Sequence, residues 1–209
     1  MNHEVCGLYA VTPDVSDTPD LLAAAEAALA GGARLLQYRN KSASSALRLA
    51  QARALLALCR GFQVPLIIND HLDLALAVNA DGLHLGAEDG SLAATRKRLG
   101  PARVLGASCY DQLERALEAE RLGADYVAFG SFFPSSVKPG AVRAPLALLR
   151  DAKRRLSVPV VAIGGITLDN APQLIAAGAD GIAVVSALFG ADDVRLAARR
   201  FSALFPDRK

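Results

Sequence analysis

The sequence predicts an α/β protein, a (β/α)8 TIM barrel built by one domain over residues 1–209, and three observations carry that expectation. Short, continuously apolar runs alternate with longer Ala/Leu-rich amphipathic stretches, as expected of parallel strands covered on both faces. Eight such strand–helix units follow one another with no linker or low-complexity tract between them. One junction also recurs four times, as Gly-Gly-Ala-Arg (31–34), Asn-Ala-Asp-Gly (79–82), Gly-Ala-Asp-Tyr (123–126) and Gly-Ala-Asp-Gly (178–181). Its alanines, Ala33, Ala80, Ala124 and Ala179, are spaced by 47, 44 and 55 residues, each interval holding two strand–helix units. The intervening strands enter instead through Val64-Pro65, Pro101 and Val158-Pro159. Even and odd strands thus obey different rules, the alternation a barrel has in its interior layers. An open doubly wound sheet, the runner-up, predicts no fourfold echo.

The strands are expected at Val5–Val11, Arg34–Arg39, Leu66–Asn69, Gly82–Leu85, Val104–Ser108, Tyr126–Phe129, Val160–Ile163 and Gly181–Val185. Helices fall between them, near 19–30, 43–60, 71–78, 91–99, 111–122, 145–156, 168–177 and 192–204. Thr18-Pro19-Asp20, Ser42 and Asp111 supply helix-start signals. Gly or Asn at each echoed junction supplies the left-handed residue that ends a helix.

Composition sets outer limits. With 52% hydrophobic residues and a net charge of +2, the chain buries a core and offers no electrostatic footprint for nucleic acid. Aromatics at 5%, with no Trp, fit helices on buried strands better than a β-sandwich. Arg150, Lys153, Arg154 and Arg155 read as a solvated helix face, as do Arg195, Arg199 and Arg200. No apolar run reaches the ~18–20 residues of a membrane span, and Met1 to Glu4 lacks a secretory start. Cys6, Cys59 and Cys109 are odd in number and far apart, so they read as core residues in a reducing cytoplasm.

In a barrel of this kind the working face is the C-terminal end of the strands. The second strand ends Gln37-Tyr38-Arg39-Asn40-Lys41, and alternation puts Gln37, Arg39 and Lys41 on one face above Leu35. Two cations and an amide converging at the mouth call for a phosphorylated ligand, unless the strand end frays into solvent. The third strand ends Asn69-Asp70 and the fourth leads to Glu88-Asp89, which sets Asp70 and Asp89 side by side. Close carboxylates repel unless a cation or a proton lies between them, and Mg²⁺ is commonly held by one or two carboxylates plus substrate phosphates. The competing reading is that either aspartate caps the next helix. Ser108 ends the fifth strand. The longest loop, 130–143, carries Ser135, Ser136, Val137 and Lys138 and suits an anion clamp or a plain surface loop. Gly164-Gly165 after the seventh strand and Val185-Ser186 after the eighth occupy the usual phosphate site of such barrels. His84 lies on an apolar strand and reads as a hydrogen-bonded core histidine. Two anion sites and one metal site in a single mouth point to two phosphorylated substrates, one of them a diphosphate.

In order along the chain, Gln37-Tyr38-Arg39-Asn40-Lys41, Ile67-Ile68-Asn69-Asp70, Ala80-Asp81-Gly82-Leu83-His84-Leu85-Gly86 with Glu88-Asp89, Gly106-Ala107-Ser108, Ser135 to Pro139, Val161 to Ile166 and Val185-Ser186 resemble the thiamine-phosphate synthase family. The resemblance implies a transferase that joins hydroxymethylpyrimidine diphosphate to a thiazole phosphate, giving thiamine phosphate and diphosphate. It implies that Gln37, Arg39, Lys41 and Asn69 bind the pyrimidine diphosphate. By the same resemblance Asp70 and Asp89 hold Mg²⁺, and Ser108 and Lys138 contact the diphosphate side. Ser135, Ser136, Val137, Gly165, Val185 and Ser186 then form the thiazole-phosphate site, Gly165 and Val185 through backbone N–H groups. The catalytic set would be Arg39, Lys41, Ser108 and Lys138. Two positions depart from the family: Asn40 replaces an acidic residue and faces outward, and Val137 lacks the usual hydroxyl.

The rival readings are a thiazole tautomerase, a Schiff-base aldolase using Lys41 or Lys138, and a non-catalytic phosphate-binding barrel. Small-molecule substrates, no nucleic acid, no membrane, a cytoplasmic location and a possible homo-oligomer complete the expectation.

Overall fold

In the computed structural model, which describes residues 5–86, 88–134 and 143–205, strands and helices alternate from end to end. The order is β1 (Gly7–Val11), α1 (Thr18–Ala30), β2 (Leu35–Tyr38), α2 (Ser45–Phe62), β3 (Leu66–Asn69), α3 (Leu72–Val78), β4 (Gly82–Leu85) and α4 (Leu92–Leu99). It continues β5 (Val104–Tyr110), α5 (Leu113–Arg121), β6 (Tyr126–Phe129), α6 (Leu146–Arg155), β7 (Val160–Ile163) and α7 (Ala171–Ala176). It ends β8 (Gly181–Val184), α8 (Ser186–Phe189) and α9 (Val194–Ser202). The strands are parallel and pair in chain order, and β8 returns to β1, so the sheet is a closed barrel and the open-sheet alternative falls.

The fourfold echo has a physical basis at the N-terminal end of the barrel. Gly32, Asn79, Gly123 and Gly178 all have positive φ, at 101°, 57°, 92° and 110°, and turn the chain from helix into strand. In three of the four junctions an aspartate follows the alanine. Asp81 Oδ2 accepts from the Leu66 N–H at 2.9 Å, Asp125 Oδ2 from Leu105 at 2.7 Å, and Asp180 Oδ2 from Val160 at 2.8 Å. The backbone N–H of each aspartate donates back to the carbonyl of the same residue. Each aspartate therefore closes the start of the odd strand beside it and satisfies a donor that the sheet leaves open. Arg34 stands at the fourth junction, where the backbone bond to Leu8 is kept and the side chain reaches Cys6 Sγ instead of a strand N–H.

Two apolar layers result. Alternate strand residues, among them Tyr9, Val11, Leu35, Ile67, Tyr126, Val161 and Ala183, fill the barrel interior. Their neighbours, such as Leu36, Tyr38, Ile68 and Leu83, pack against the helices. Gly106 makes room for one interior ring, because a Cβ there would lie 2.1 Å from Tyr126 Cζ.

Several boundaries differ from expectation. The α1 cap is Asp17, whose side chain accepts from Asp20 N, and α2 is capped by Ser44 rather than Ser42. Ser42 instead donates to Asn40 Oδ1. At α5 the N-cap is Gln112, without a side-chain bond, so Asp111 is not a cap. β5 runs past Ser108 to Tyr110 through a shift of register between those two residues. The short helix α8 is new, because four residues are too few to show a helical period. Cys6, Cys59 and Cys109 are free and buried, as expected of core cysteines. Burial pushes the Cys109 thiol up to about 12, so it stays a neutral thiol at pH 7. No helix of the described residues is long and apolar enough to cross a membrane.

Candidate active site

A cleft of about 480 Å³ opens at the C-terminal ends of the strands, a size suited to small ligands. Gln37, Arg39, Lys41, Asn69, Asp70, Asp89, Ser108, Gly165, Val185 and Ser186 all line it. Ser135, Ser136, Val137 and Lys138 lie outside the described residues.

The cationic wall is built on β2. Gln37 is buried above Leu35, and Arg39 and Lys41 continue the same face, as alternation requires. Two residues that follow β1 hold this wall in place. Thr12 Oγ1 accepts from the Arg39 N–H at 2.9 Å and donates to the Arg39 carbonyl at 3.0 Å. Asp14 Oδ1 accepts from the Arg39 guanidinium at 3.0 Å and from the Lys41 N–H at 3.1 Å. Neither residue was anticipated from sequence. Their place follows from the register, since β1 pairs with β2 with Val11 beside Gln37, which brings positions 12 and 14 alongside position 39. Asn40 faces outward from the barrel, as expected, yet it is buried against α2. Its amide donates to Val15 O and Gln51 Oε1, and its oxygen accepts from Ser42 and Ala43. It braces the loop from behind and does not line the cleft.

The acidic wall spans β3 and β4. Asp70 sits in the left-handed region, at φ 63°, with its N–H donating to His84 O. Asp89 Oδ2 accepts from the Gly86 N–H at 2.8 Å, which folds the loop back over the mouth. A side chain at Gly86 would collide with that carboxylate, since its Cβ would lie 2.5 Å from Asp89 Oδ2. Burial first, and then the facing Asp89 carboxylate, raise the Asp70 pKa against the opposing pull of Lys41, whose Nζ lies 3.5 Å away. The helix-cap reading of the pair fails, because α3 starts without a side-chain cap and α4 is capped by Ser91. Among the described residues no group of three or more His, Cys, Asp or Glu could hold a metal ion. Two adjoining hard-oxygen carboxylates that repel one another nevertheless fit a Mg²⁺ that takes its remaining ligands from water and phosphate.

The opposite rim is backbone. Gly164 and Gly165 have φ of 100° and 65°. A Cβ on Gly165 would lie 2.3 Å from the Pro134 carbonyl oxygen, so only glycine fits. Asn170 fixes the turn, accepting from Thr167 N at 2.8 Å and donating to Gly165 O at 3.0 Å. Val185 is the N-cap of α8, so the orphan N–H groups of that helix's first turn start beside Val185 and Ser186 at the cleft.

The floor carries His84 and Ser108, with His84 Nε2 2.9 Å from Ser108 Oγ. His84 is buried and hydrogen-bonded, as expected, but it also lines the cleft. Burial pushes its pKa down to about 4, so it is neutral at pH 7. The Lys41 side chain is 55% exposed and ion-paired, the opposite of the desolvated setting in which a lysine becomes a Schiff-base nucleophile.

The sequence model of the family described as thiamine monophosphate synthase matches residues 8–188. The thiamine-phosphate synthase of Nitrosomonas eutropha is 56% identical over 202 residues, covering 97% of this chain and 95% of that protein. That of Methylobacillus flagellatus is 58% identical over 199 residues, covering 95% of each. The solved structure of thiamine phosphate pyrophosphorylase from Pyrococcus furiosus superposes with a TM-score of 0.85 at 38% identity, over 97% of this chain and 96% of that one.

Proposed function

Since the chain belongs to the thiamine monophosphate synthase family, we propose that its barrel mouth joins 4-amino-2-methyl-5-hydroxymethylpyrimidine diphosphate to 4-methyl-5-(2-phosphooxyethyl)thiazole, forming thiamine phosphate and releasing diphosphate. Its activity is that of a thiamine-phosphate synthase, a transferase acting on small molecules. The observation that carries the finer reading is a single cleft with Arg39 and Lys41 beside the Asp70–Asp89 pair and a glycine-rich anion rim opposite.

The pyrimidine C–O bond breaks first, and diphosphate leaves with the bonding electrons. The exposed methylene cation is then captured by the lone pair of the thiazole nitrogen. The protein has little covalent work to do: it must stabilise a departing polyanion and hold the acceptor in line. Arg39 and Lys41 donate to diphosphate oxygens, and the clamp by Thr12 and Asp14 fixes their approach before substrate arrives. Asn69 and Ser108 add neutral donors on the same side, with Lys138 assigned there by resemblance. Gln37 meets the pyrimidine from the floor. The rim N–H groups at Gly165, Val185 and Ser186 take the thiazole phosphate, with Ser135, Ser136 and Val137 assigned there by resemblance. Asp70 and Asp89 would hold Mg²⁺, which when bound supplies charge neutralisation for the leaving diphosphate. The three free cysteines are in keeping with a cytoplasmic enzyme.

The test is incubation with both substrates, with Mg²⁺ and then with chelator, following thiamine phosphate and diphosphate together. Equimolar, Mg²⁺-dependent appearance of the two is expected. Isomerisation of the thiazole without diphosphate release would indicate a tautomerase, and binding without turnover a non-catalytic barrel.

A further inference from the structure

Five side chains beneath the cleft form one unbroken hydrogen-bonded chain across the barrel. Gln37 Nε2 donates to Tyr9 Oη at 2.8 Å, and Tyr9 Oη lies 2.8 Å from Tyr126 Oη. Tyr126 Oη lies 2.8 Å from His84 Nδ1, whose Nε2 reaches Ser108 Oγ at 2.9 Å. The five residues come from β2, β1, β6, β4 and β5. Tyr9 and Tyr126 also meet edge to face, and the His84 ring stacks on Tyr126.

The protons of this chain can be counted. Burial raises both tyrosine hydroxyls above their ordinary range and keeps His84 neutral, so each of the three brings one exchangeable proton. Gln37 donates to the Tyr9 oxygen, so the Tyr9 hydroxyl hydrogen has Tyr126 Oη as its acceptor in this chain, and the Tyr126 hydroxyl in turn donates to His84 Nδ1. His84 must then carry its hydrogen on Nε2 and donate it to Ser108. The Ser108 hydroxyl proton is left free to point into the cleft. Running the chain backwards would place the hydrogen on Nδ1 and consume the Ser108 proton on Nε2, turning a serine lone pair toward the ligand.

We propose that Tyr9, Tyr126 and His84 are positioning residues whose shared polarity, set by Gln37, holds His84 as its Nε2–H tautomer and makes Ser108 a hydrogen-bond donor to the departing anion. The inference rests on the proposed reaction for the identity of that anion. A donor stabilises charge that develops on a leaving oxygen, whereas a serine lone pair would repel it. None of the three need touch the leaving group to affect its departure.

Two measurements test this. ¹⁵N NMR of the histidine-labelled protein, without substrate, should show His84 as the Nε2–H tautomer, and Tyr126→Phe should lose that preference. A dominant Nδ1–H form in the unmodified protein overturns the inference and leaves the thiamine-phosphate reading untouched. The second is a double-mutant cycle on turnover with both substrates. Tyr126→Phe should lower kcat about tenfold with KM for the pyrimidine diphosphate within about twofold, and should cost nothing further in a Ser108→Ala background. An equal loss in both backgrounds would make Tyr126 a packing residue only. Absence of turnover in the unmodified enzyme would sink the reaction, while the tautomer result would still stand or fall alone.

Discussion

Asp14 holds Arg39 at 3.0 Å and, through the same carboxylate oxygen, the backbone of Lys41 at 3.1 Å. One acid thus ties together both cationic residues of the cleft wall. The Arg39 side chain keeps 19% of its surface exposed and that of Asp14 36%, so the pair itself adds at most about 1 kcal/mol to stability. Its importance is positional. Asp14→Ala should raise KM for the pyrimidine diphosphate about tenfold while leaving thermal stability nearly unchanged. Steady-state kinetics beside a melting curve check this, and an unaltered KM would show that Arg39 finds its place unaided.

The Asp70–Asp89 pair makes the opposite trade. Burial and the facing carboxylate raise the Asp70 pKa, so the pair carries a repulsion that a cation between the two carboxylates would relieve. Asp70→Asn and Asp89→Asn should each keep or raise the melting temperature without metal. Each should cut Mg²⁺-supported turnover by about a hundredfold or more. Asp89→Asn also weakens the bond to Gly86 N, so Asp70→Asn is the cleaner of the two. Near-normal rates in either variant would remove the metal assignment.

The junction aspartates should behave as purely structural residues. Asp81 Oδ2 accepts from the N–H of fully buried Leu66, at the end of the barrel away from the cleft. Asp81→Ala leaves that donor without its side-chain partner and should cost about 1–3 kcal/mol. Urea denaturation reads the loss, and kcat at a permissive temperature should stay within about twofold. A stable variant with depressed turnover would contradict the division of labour between the two ends of the barrel.

The sequence disclosed what repeats and what alternates. The Ala-Asp junctions revealed the barrel because each repeats the same closure of an odd strand. Gln37, Arg39 and Lys41 were legible together because a period of two forces them onto one face. Thr12 and Asp14 were missed because their roles depend on pairing between β1 and β2, which local pattern does not encode. The same holds for Tyr9 and Tyr126, which look like ordinary apolar strand residues until the closed barrel brings their hydroxyls to 2.8 Å. His84 was read as a core histidine, and its contact with Ser108 appears only once β4 pairs with β5.

His84 also gives the fold a definite response to acid. Burial is the main cause that pushes its pKa down to about 4, against about 6.5 in an unfolded chain. Above pH 6.5 neither state holds the extra proton, and stability from this site is complete. As pH falls from 6.5 toward 4 the unfolded chain binds a proton that the native chain refuses, so stability is lost across that window. The full loss is about 3 kcal/mol for one site. His84→Gln has no such group, so its stability deficit relative to the unmodified protein should be largest at pH 7 and shrink toward pH 4. Denaturant midpoints taken at pH 7, 5.5 and 4.5 measure the gap. A gap that stays constant would mean that native His84 takes up its proton as readily as an unfolded chain does, and the buried neutral ring would have to be abandoned.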